Sequence, residues 1–326
     1  MSRFVVFSDL HLHTWMYGSS LAKGINSRLL NQSDVVGQIR QYVVDNDIRT
    51  VIFLGDLFHT STISAEVLEV AYNSFRLLAQ DINLILLTGN HDQYSKNGEI
   101  HSLSFFKPFA HVVDQAESLG RLDQEHPMYA VPYTEDESNL VKLFNSVEKN
   151  SLVFLHQGVS GVPVNSKGFV LNETFKAGMI TPQVKHVFAG HYHSHKKVND
   201  TLTIPGSPLQ LTWGDVGEKR GWLDVTIEEG QVNIKHIESK APKFMVNPEE
   251  KDIEGNFIRT REDNKTELLL KGALSVEQVE IQKKFPHLSE YNLWTMDEVF
   301  EEYIEKKDLE PELEATGRDL WEGKDD

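Results

Sequence analysis

Arg3-Phe4-Val5-Val6-Phe7-Ser8-Asp9-Leu10-His11 decides the fold: an apolar, β-branched and aromatic run that ends in an Asp-x-His pair. Such residues favour strands, and open α/β sheets place their ligand crevice at the carboxyl ends of strands. Four more clusters recur at the ends of strand-like runs: Gly55-Asp56, Gly89-Asn90-His91-Asp92, His156, and Gly190-His191-Tyr192-His193. Period-two alternation predicts that Asp9 and His11 share one face of a strand, and likewise His191 and His193, so that each pair can chelate.

Working outward, the first 205 residues alternate strand-like and helix-like segments, the pattern of an α/β domain. Strands are predicted from Arg3 to Ser8, Thr50 to Leu54, Asn83 to Thr88, Met128 to Pro132, Ser151 to Leu155, His186 to Ala189 and Thr201 to Ile204. Ser33 is expected to cap a helix whose apolar face includes Val35, Ile39, Tyr42 and Val43. Ser64 is expected to cap a second, with Leu68, Tyr72, Phe75 and Ala79. A hairpin from Trp222 to Ile227 and Gln231 to Ile237, turning at Glu228-Glu229-Gly230, finishes the first domain.

Ala241-Pro242-Lys243 breaks the pattern and sets a boundary near Lys240. The domains expected are therefore 1–240, a smaller region 241–290, and an acidic, helical tail 291–326. The smaller region is read as strands from Asn256 to Arg261 and Glu267 to Lys271 and a helix from Ser275 to Phe285. In the tail, Met296, Val299, Phe300, Tyr303 and Ile304 give a helix one apolar face, expected to dock a partner or to pack on the chain's own domain.

The chain has 326 residues, 40% of them hydrophobic and 25% charged, ordinary values for a globular protein. No apolar run approaches the roughly 20 residues of a membrane span, and the N-terminus lacks an export pattern. A cytoplasmic protein without membrane partners is expected. With no cysteine, disulfides and thiolate metal sites are excluded, so any metal is held by nitrogen and oxygen ligands. Imidazole with carboxylate suits manganese, iron or zinc and is too nitrogen-rich for a dedicated calcium or magnesium cage. A carboxylate between two histidine-bearing loops is the natural bridge between two ions, which makes Asp56 the candidate bridge.

The ordered set D-x-H, G-D, G-N-H-D, H and G-H-x-H resembles the signature of the calcineurin-like metallophosphoesterase superfamily over roughly two thirds of the chain. The resemblance implies a four-layer α/β/β/α sandwich with a small C-terminal α+β or helical extension. It assigns Asp9, His11, Asp56 and His193 to one divalent metal ion, manganese before iron or zinc, and Asp56, Asn90, His156 and His191 to a second. It gives His91 the role of charge stabiliser or proton donor at the phosphate, in an in-line hydrolysis by two metals. Asp92 is expected either to orient His91 or to be a turn residue.

Within the superfamily the chain lacks the Asp-Arg-Gly of protein Ser/Thr phosphatases and the motif Arg of lipid A-type pyrophosphatases. It is most similar to SbcD-type DNA nuclease subunits, which work with a coiled-coil SbcC-type ATPase, and to related phage recombination endonuclease subunits. His59, three residues past Asp56, matches a second catalytic histidine there, and Ile204-Pro205-Gly206-Ser207-Pro208 resembles the turn after the last ligand pair. The resemblance implies DNA as substrate, the ATPase as partner, and a homodimer through helices around residues 33–45 and 64–80. The net charge of −17 opposes DNA binding by bulk electrostatics and favours the alternative, a small-molecule or cyclic-nucleotide phosphodiesterase. A non-catalytic scaffold is the third reading, opposed by the complete ligand set.

Overall fold

Along β1 (Ser2–Phe7), Phe4 and Val6 belong to one apolar core and Val5 and Phe7 to another. A strand covered on both faces reads as an unbroken apolar run, which is why this segment is so legible. The computed structural model describes residues 2–267 except 16–18, 20, 23, 81, 96–97, 165–167, 247, 253–254 and 263–264.

After β1 come the short pair β2 (Leu21–Ala22) and β3 (Ile25–Asn26), then α1 (Ser27–Asp45), β4 (Thr50–Phe53), α2 (Ala65–Leu78) and β5 (Asn83–Leu87). Next are β6 (His111–Val113), β7 (Glu117–Arg121), β8 (Pro127–Val131), α3 (Glu137–Ser146), β9 (Ser151–His156) and β10 (Val184–Gly190). The unit closes with β11 (Lys196–Asn199), β12 (Leu202–Ile204), β13 (Gly221–Glu228) and β14 (Gln231–Glu238). Two six-stranded sheets result, ordered β14-β13-β1-β4-β5-β6 and β11-β12-β10-β9-β8-β7. Their centres are parallel, β1 with β4 and β4 with β5 in the first, β8 with β9 and β9 with β10 in the second.

The sheets share an inner core in which Phe4, Ile52 and Ile85 of the first meet Leu152, Phe154 and Phe188 of the second. Phe4 sits edge-on to Phe154 and to Phe188, each at 5.8 Å between ring centroids. On the outer face of the first sheet, α1 and α2 bury Val35, Ile39, Val67, Ala71 and Phe75 against Phe7 and Phe53. On the outer face of the second, α3 buries Leu140, Leu143 and Phe144 against Val153, Leu155 and Val187. This is the expected α/β/β/α sandwich.

The expected strands are present to within about two residues at either end. Helix α1 differs: it starts at Ser27 and is capped by Asn26, whose side chain accepts from the Arg28 and Leu29 amides. Ser33 lies inside the helix, its hydroxyl paired with that of Ser74 on α2 at 2.8 Å. Ser64 caps α2 as expected, accepting from the Val67 amide; the buried stripe is Val67, Ala71, Phe75 and Leu78, which includes the expected Phe75, while the expected Leu68 and Ala79 pack partly buried against the same core. The strands β6, β7 and β11 and helix α3 were not expected. The chain divides after Phe244, the first residue of β15 (Phe244–Val246), and the later unit contains the antiparallel pair β16 (Phe257–Glu262) and β17 (Lys265–Glu267). Apart from Glu267, the strand expected to Lys271, the helix from Ser275 to Phe285 and the tail 291–326 lie outside the described residues.

At the carboxyl rim the loops after β1 and β4 continue the parallel ladder, with amide-to-carbonyl bonds from Asp9 to Gly55, His11 to Asp56 and Leu12 to Leu57. Asp92 locks the next loop onto them. Its fully buried carboxylate accepts from the amides of Asp56, Leu57, Phe58 and Gly89 at 2.9–3.3 Å. The Asp92 side chain is therefore committed to backbone, not to His91. Gly89 allows this closeness, because a Cβ there would lie 2.3 Å from the Asp56 amide nitrogen.

Two outcomes are expected of urea unfolding curves. Phe4→Ala empties the centre of the inner core and costs about 3–5 kcal/mol. Asp92→Asn places an amide donor against backbone donors and costs about 1.5–3 kcal/mol in metal-stripped protein. An unchanged curve for Asp92→Asn would show that the carboxylate is not what holds the loops together.

Candidate metal centre

Side chains from five loops converge at the rim. His11 Nε2 lies 3.0 Å from His193 Nε2, and Asp9, His11 and His193 form one group of ligand-type atoms. Asp56, His156 and His191 form a second. Asn90 belongs with it, its Oδ1 lying 3.1 Å from His156 Nε2 and 2.9 Å from His191 Nδ1. Asp56 Oδ2 stands between the groups, 3.6 Å from His11 Nε2 and 3.4 Å from His156 Nε2. Ligand atoms about 2.1 Å from a common ion are about 3.0 Å apart in an octahedron and about 3.4 Å apart in a tetrahedron. The observed separations fit nitrogen and oxygen donors gathered around two divalent ions, with one carboxylate oxygen placed between them.

The backbone reaches this arrangement by a different route from strand alternation. His156 ends β9, but β1, β4, β5 and β10 stop short of their ligand-type residues, and Asp9, His11, Asp56 and His191 have φ of 56°, 48°, 58° and 90°. Left-handed backbone at non-glycine residues is strained and persists where surrounding bonds hold it. Here the holding bonds include the ladder at Asp9 and His11, the Asp92 cap at Asp56, and the His191 amide donating to both Asp9 oxygens. Gly55 belongs to the same constraint: its φ is 102°, and a Cβ there would lie 2.5 Å from His156 Nδ1.

His156 Nδ1 lies 2.6 Å from the Leu54 carbonyl, which aims Nε2 at the Asp56 and Asn90 oxygens. His91 is oriented from His59: its Nδ1 lies 2.6 Å from the His59 carbonyl, and its own amide donates to Asp56 Oδ1 at 2.9 Å. Of the two expectations for Asp92, an orienting bond to His91 is not formed, this bond standing in its place, and the carboxylate instead ties the turns together. The His59 ring stacks on that of His91 at 5.7 Å and 18°, and both stand beside His11, at 5.5 and 4.9 Å. All ten residues singled out in the sequence thus lie at one rim, with Asp92 supporting its backbone.

Burial drives His11 well below its ordinary value and His191 down to about 4, leaving neutral rings, the form in which imidazole can bind a metal. His156 differs: burial opposes its charge, but the Asp56 carboxylate outweighs this and raises it to about 9. Burial, seconded by His13 and His91, brings His59 to about 4, so at neutral pH it offers a neutral ring.

Sequence reading missed the surroundings of this group. His13 and Trp15 pack on His59 at 5.2 and 4.5 Å, and the buried Arg28 guanidinium lies 4.9 Å from the centre of the Trp15 ring. Tyr133 stacks on His191 at 6.0 Å. The run His11-Leu12-His13-Thr14-Trp15 was the available signal, since it sets a third ring two residues beyond each histidine. A cavity of about 300 Å³ opens beside His191 and His193, lined also by Val164, Leu171, Thr212 and Asp215. No described helix is long and apolar enough to cross a membrane.

Among solved structures, the chain is similar to a dimetal phosphatase from Danio rerio (9% identity, TM-score 0.46, covering 72% of this chain and 95% of that one). It is also similar to GAP50, the anchor in the inner membrane complex of Plasmodium (10% identity, TM-score 0.43, 73% and 85%). No curated protein matches in sequence. The family description calcineurin-like phosphoesterase matches residues 2–195, which contain every ligand-type residue described above. The chain therefore belongs to the calcineurin-like phosphoesterase family, hydrolases of phosphoester bonds that use a dimetal centre.

Proposed function

We propose that this chain is the nuclease subunit of an SbcCD-like complex, hydrolysing DNA phosphodiesters at the Asp9–His193 rim, with a coiled-coil ATPase as partner. The observation that carries this reading is the stacked His59–His91 pair beside the ligand groups. A single histidine suffices to meet a phosphate oxygen. A second, held parallel to it, is placed for the sugar oxygen that must leave when an unactivated diester is cut.

In this reading Asp9, His11, Asp56 and His193 hold one ion and Asp56, Asn90, His156 and His191 the other, manganese being the first choice. When bound, the ions supply Lewis acidity and lower the pKa of water. His91 donates its Nδ1 hydrogen to the His59 carbonyl and its amide to Asp56, so its Nε2 can donate to a phosphate oxygen when the ring is the imidazolium. His59, neutral because it is partly buried among other rings, supplies a hydrogen-bond donor to the leaving oxygen without adding a charge. Trp15 and His13 also pack on its ring, at 4.5 and 5.2 Å.

The cavity beside His191 and His193 favours a second reading, a small-molecule phosphodiesterase. Among the described residues its lining includes no lysine or arginine, and it is large enough for one compact ester group rather than a polymer.

Three measurements separate these readings. Manganese-loaded protein is expected to cut labelled duplex or single-stranded DNA, alone or with a coiled-coil ATPase partner; intact DNA beside a hydrolysed generic diester sinks the nuclease reading. His91→Asn is expected to keep both metals and lose about 100-fold or more in hydrolysis, checked by metal analysis of the same sample used for kinetics. His59→Ala is expected to lower DNA cleavage about 100-fold and to leave cleavage of an activated nitrophenyl ester nearly intact, since that leaving group needs no help. Equal losses on both substrates would remove the reason for assigning His59 to the leaving oxygen.

A further inference from the structure

The loop between β9 and β10 brings to the metal centre a carboxylate that no motif announces. Glu173 Oε1 lies 3.9 Å from His191 Nε2, the ring nitrogen on the far side from Asn90. We propose that Glu173 is a positioning residue: it takes up the Nε2 hydrogen of His191 and so holds Nδ1, with its lone pair, toward Asp56, Asn90 and His156. The inference rests on reading that group as a metal site, and it adds a residue to the seven ligands.

Four observations carry it. The carboxylate is held from behind, since the buried Tyr192 hydroxyl lies within donating distance of Glu173 Oε1, at 3.4 Å, and of the Val159 carbonyl, at 3.3 Å. It rests on Gly158, where a Cβ would lie 2.5 Å from its Cδ and 2.7 Å from Oε1, so any other residue there would displace it. Its loop is anchored two residues on by Phe175, fully buried, stacked on Phe144 of α3 at 5.6 Å, and accepting the Ser160 amide through its carbonyl. Finally, Tyr133 stacks on the His191 ring at 6.0 Å and 26°, limiting how the ring can turn.

The chemistry explains why a carboxylate suits this place. A neutral imidazole carries one hydrogen, and Nδ1 is available to a metal only in the tautomer with hydrogen on Nε2. An acceptor facing Nε2 selects that tautomer, fixes the ring and makes the ligand nitrogen more basic. The 3.9 Å separation is an ion-pair distance, and a shift of about 1 Å makes it a hydrogen bond.

The test uses the full-length, metal-stripped protein titrated with Mn²⁺ by calorimetry. Glu173→Ala and Gly158→Ala are expected to weaken one of two Mn²⁺ sites by about 10- to 100-fold and leave the other within about twofold. Glu173→Gln, which keeps an acceptor oxygen, is expected to lose less than Glu173→Ala. Nitrogen-detected NMR of the metal-free protein reads the tautomer directly: a single Nε2-protonated form at His191 in the parent, and a mixture in Glu173→Ala. Glu173 is partly exposed, so its variants should show the parent's thermal unfolding. A parent that binds two ions beside a Glu173→Ala that binds both equally, with an unchanged tautomer, overturns the proposal alone. A parent that binds no Mn²⁺ overturns the metal-centre reading and the proposal with it.

Discussion

Three carboxylates, those of Asp9, Asp56 and Asp92, are buried to within 2% of full enclosure at the rim where the loops of both sheets meet. Like charges in such a place cost several kcal/mol each unless they are matched by donors or cations. The fold answers each differently. Asp92 is satisfied by four amides, Asp9 by the His191 amide, and Asp56 by the His91 amide together with the imidazoles of His11 and His156. Only the first of these is complete within the polypeptide. Asp9 and Asp56 keep oxygens directed at other ligand-type atoms, an arrangement that is costly for a fold alone and useful for holding divalent cations.

This constraint also accounts for the glycines of the motifs. Loops from β4 and β5 approach so closely that no side chain fits between Gly89 and Asp56, or between Gly55 and His156. The left-handed residues are the other half of the same geometry, turning the chain sharply enough for consecutive loops to present side chains inward. The sandwich supplies the rigidity: the inner core of Phe4, Phe154 and Phe188 fixes the two sheets against each other, so ligands from β1 and β4 can meet those from β9 and β10.

The central strands were legible because each is buried on both faces and therefore written as a continuous apolar run. Strands β7 and β11 lie at the edge of the second sheet with half-exposed patterns, and β6 is only three residues long, so none carries a recognisable period. Helix α3 has three buried residues in ten and an Asp136 cap that reads equally as a turn. The start of α1 was misplaced because Ser33 offers the better capping residue locally, while Asn26 is fixed by contacts far away, among them its amide donating to Glu66. At the site, the ligand-type residues could be named from their order along the chain. Alternation gave the right partners for a wrong reason, since Asp9 and His11 converge through left-handed turns. Asp92 as a backbone cap and Glu173 beside His191 could not be read, because both depend on which distant amide or ring the fold delivers to them.

The acidity of the chain bears on its substrate less heavily than the total suggests. The segment 297–326 carries 13 acidic and 4 basic residues, so nine of the seventeen excess negative charges lie in the last 30 residues. Screening limits the reach of such a charge to about 8–10 Å at physiological salt, which makes the local balance at the rim the quantity that matters. There the cluster contains four carboxylates, those of Asp9, Asp56, Asp92 and Glu173, and two divalent cations would contribute four positive charges, offsetting a negative crevice so that it can accept a phosphodiester. Extended contact along a nucleic-acid backbone is a separate requirement, since it scales with the number of phosphates neutralised by lysine and arginine. An acidic subunit meets the first requirement through its metals and leaves the second to a partner, whereas a small phosphodiester needs only the first. The presence or absence of a basic partner surface is thus the physical difference between the two readings of this site.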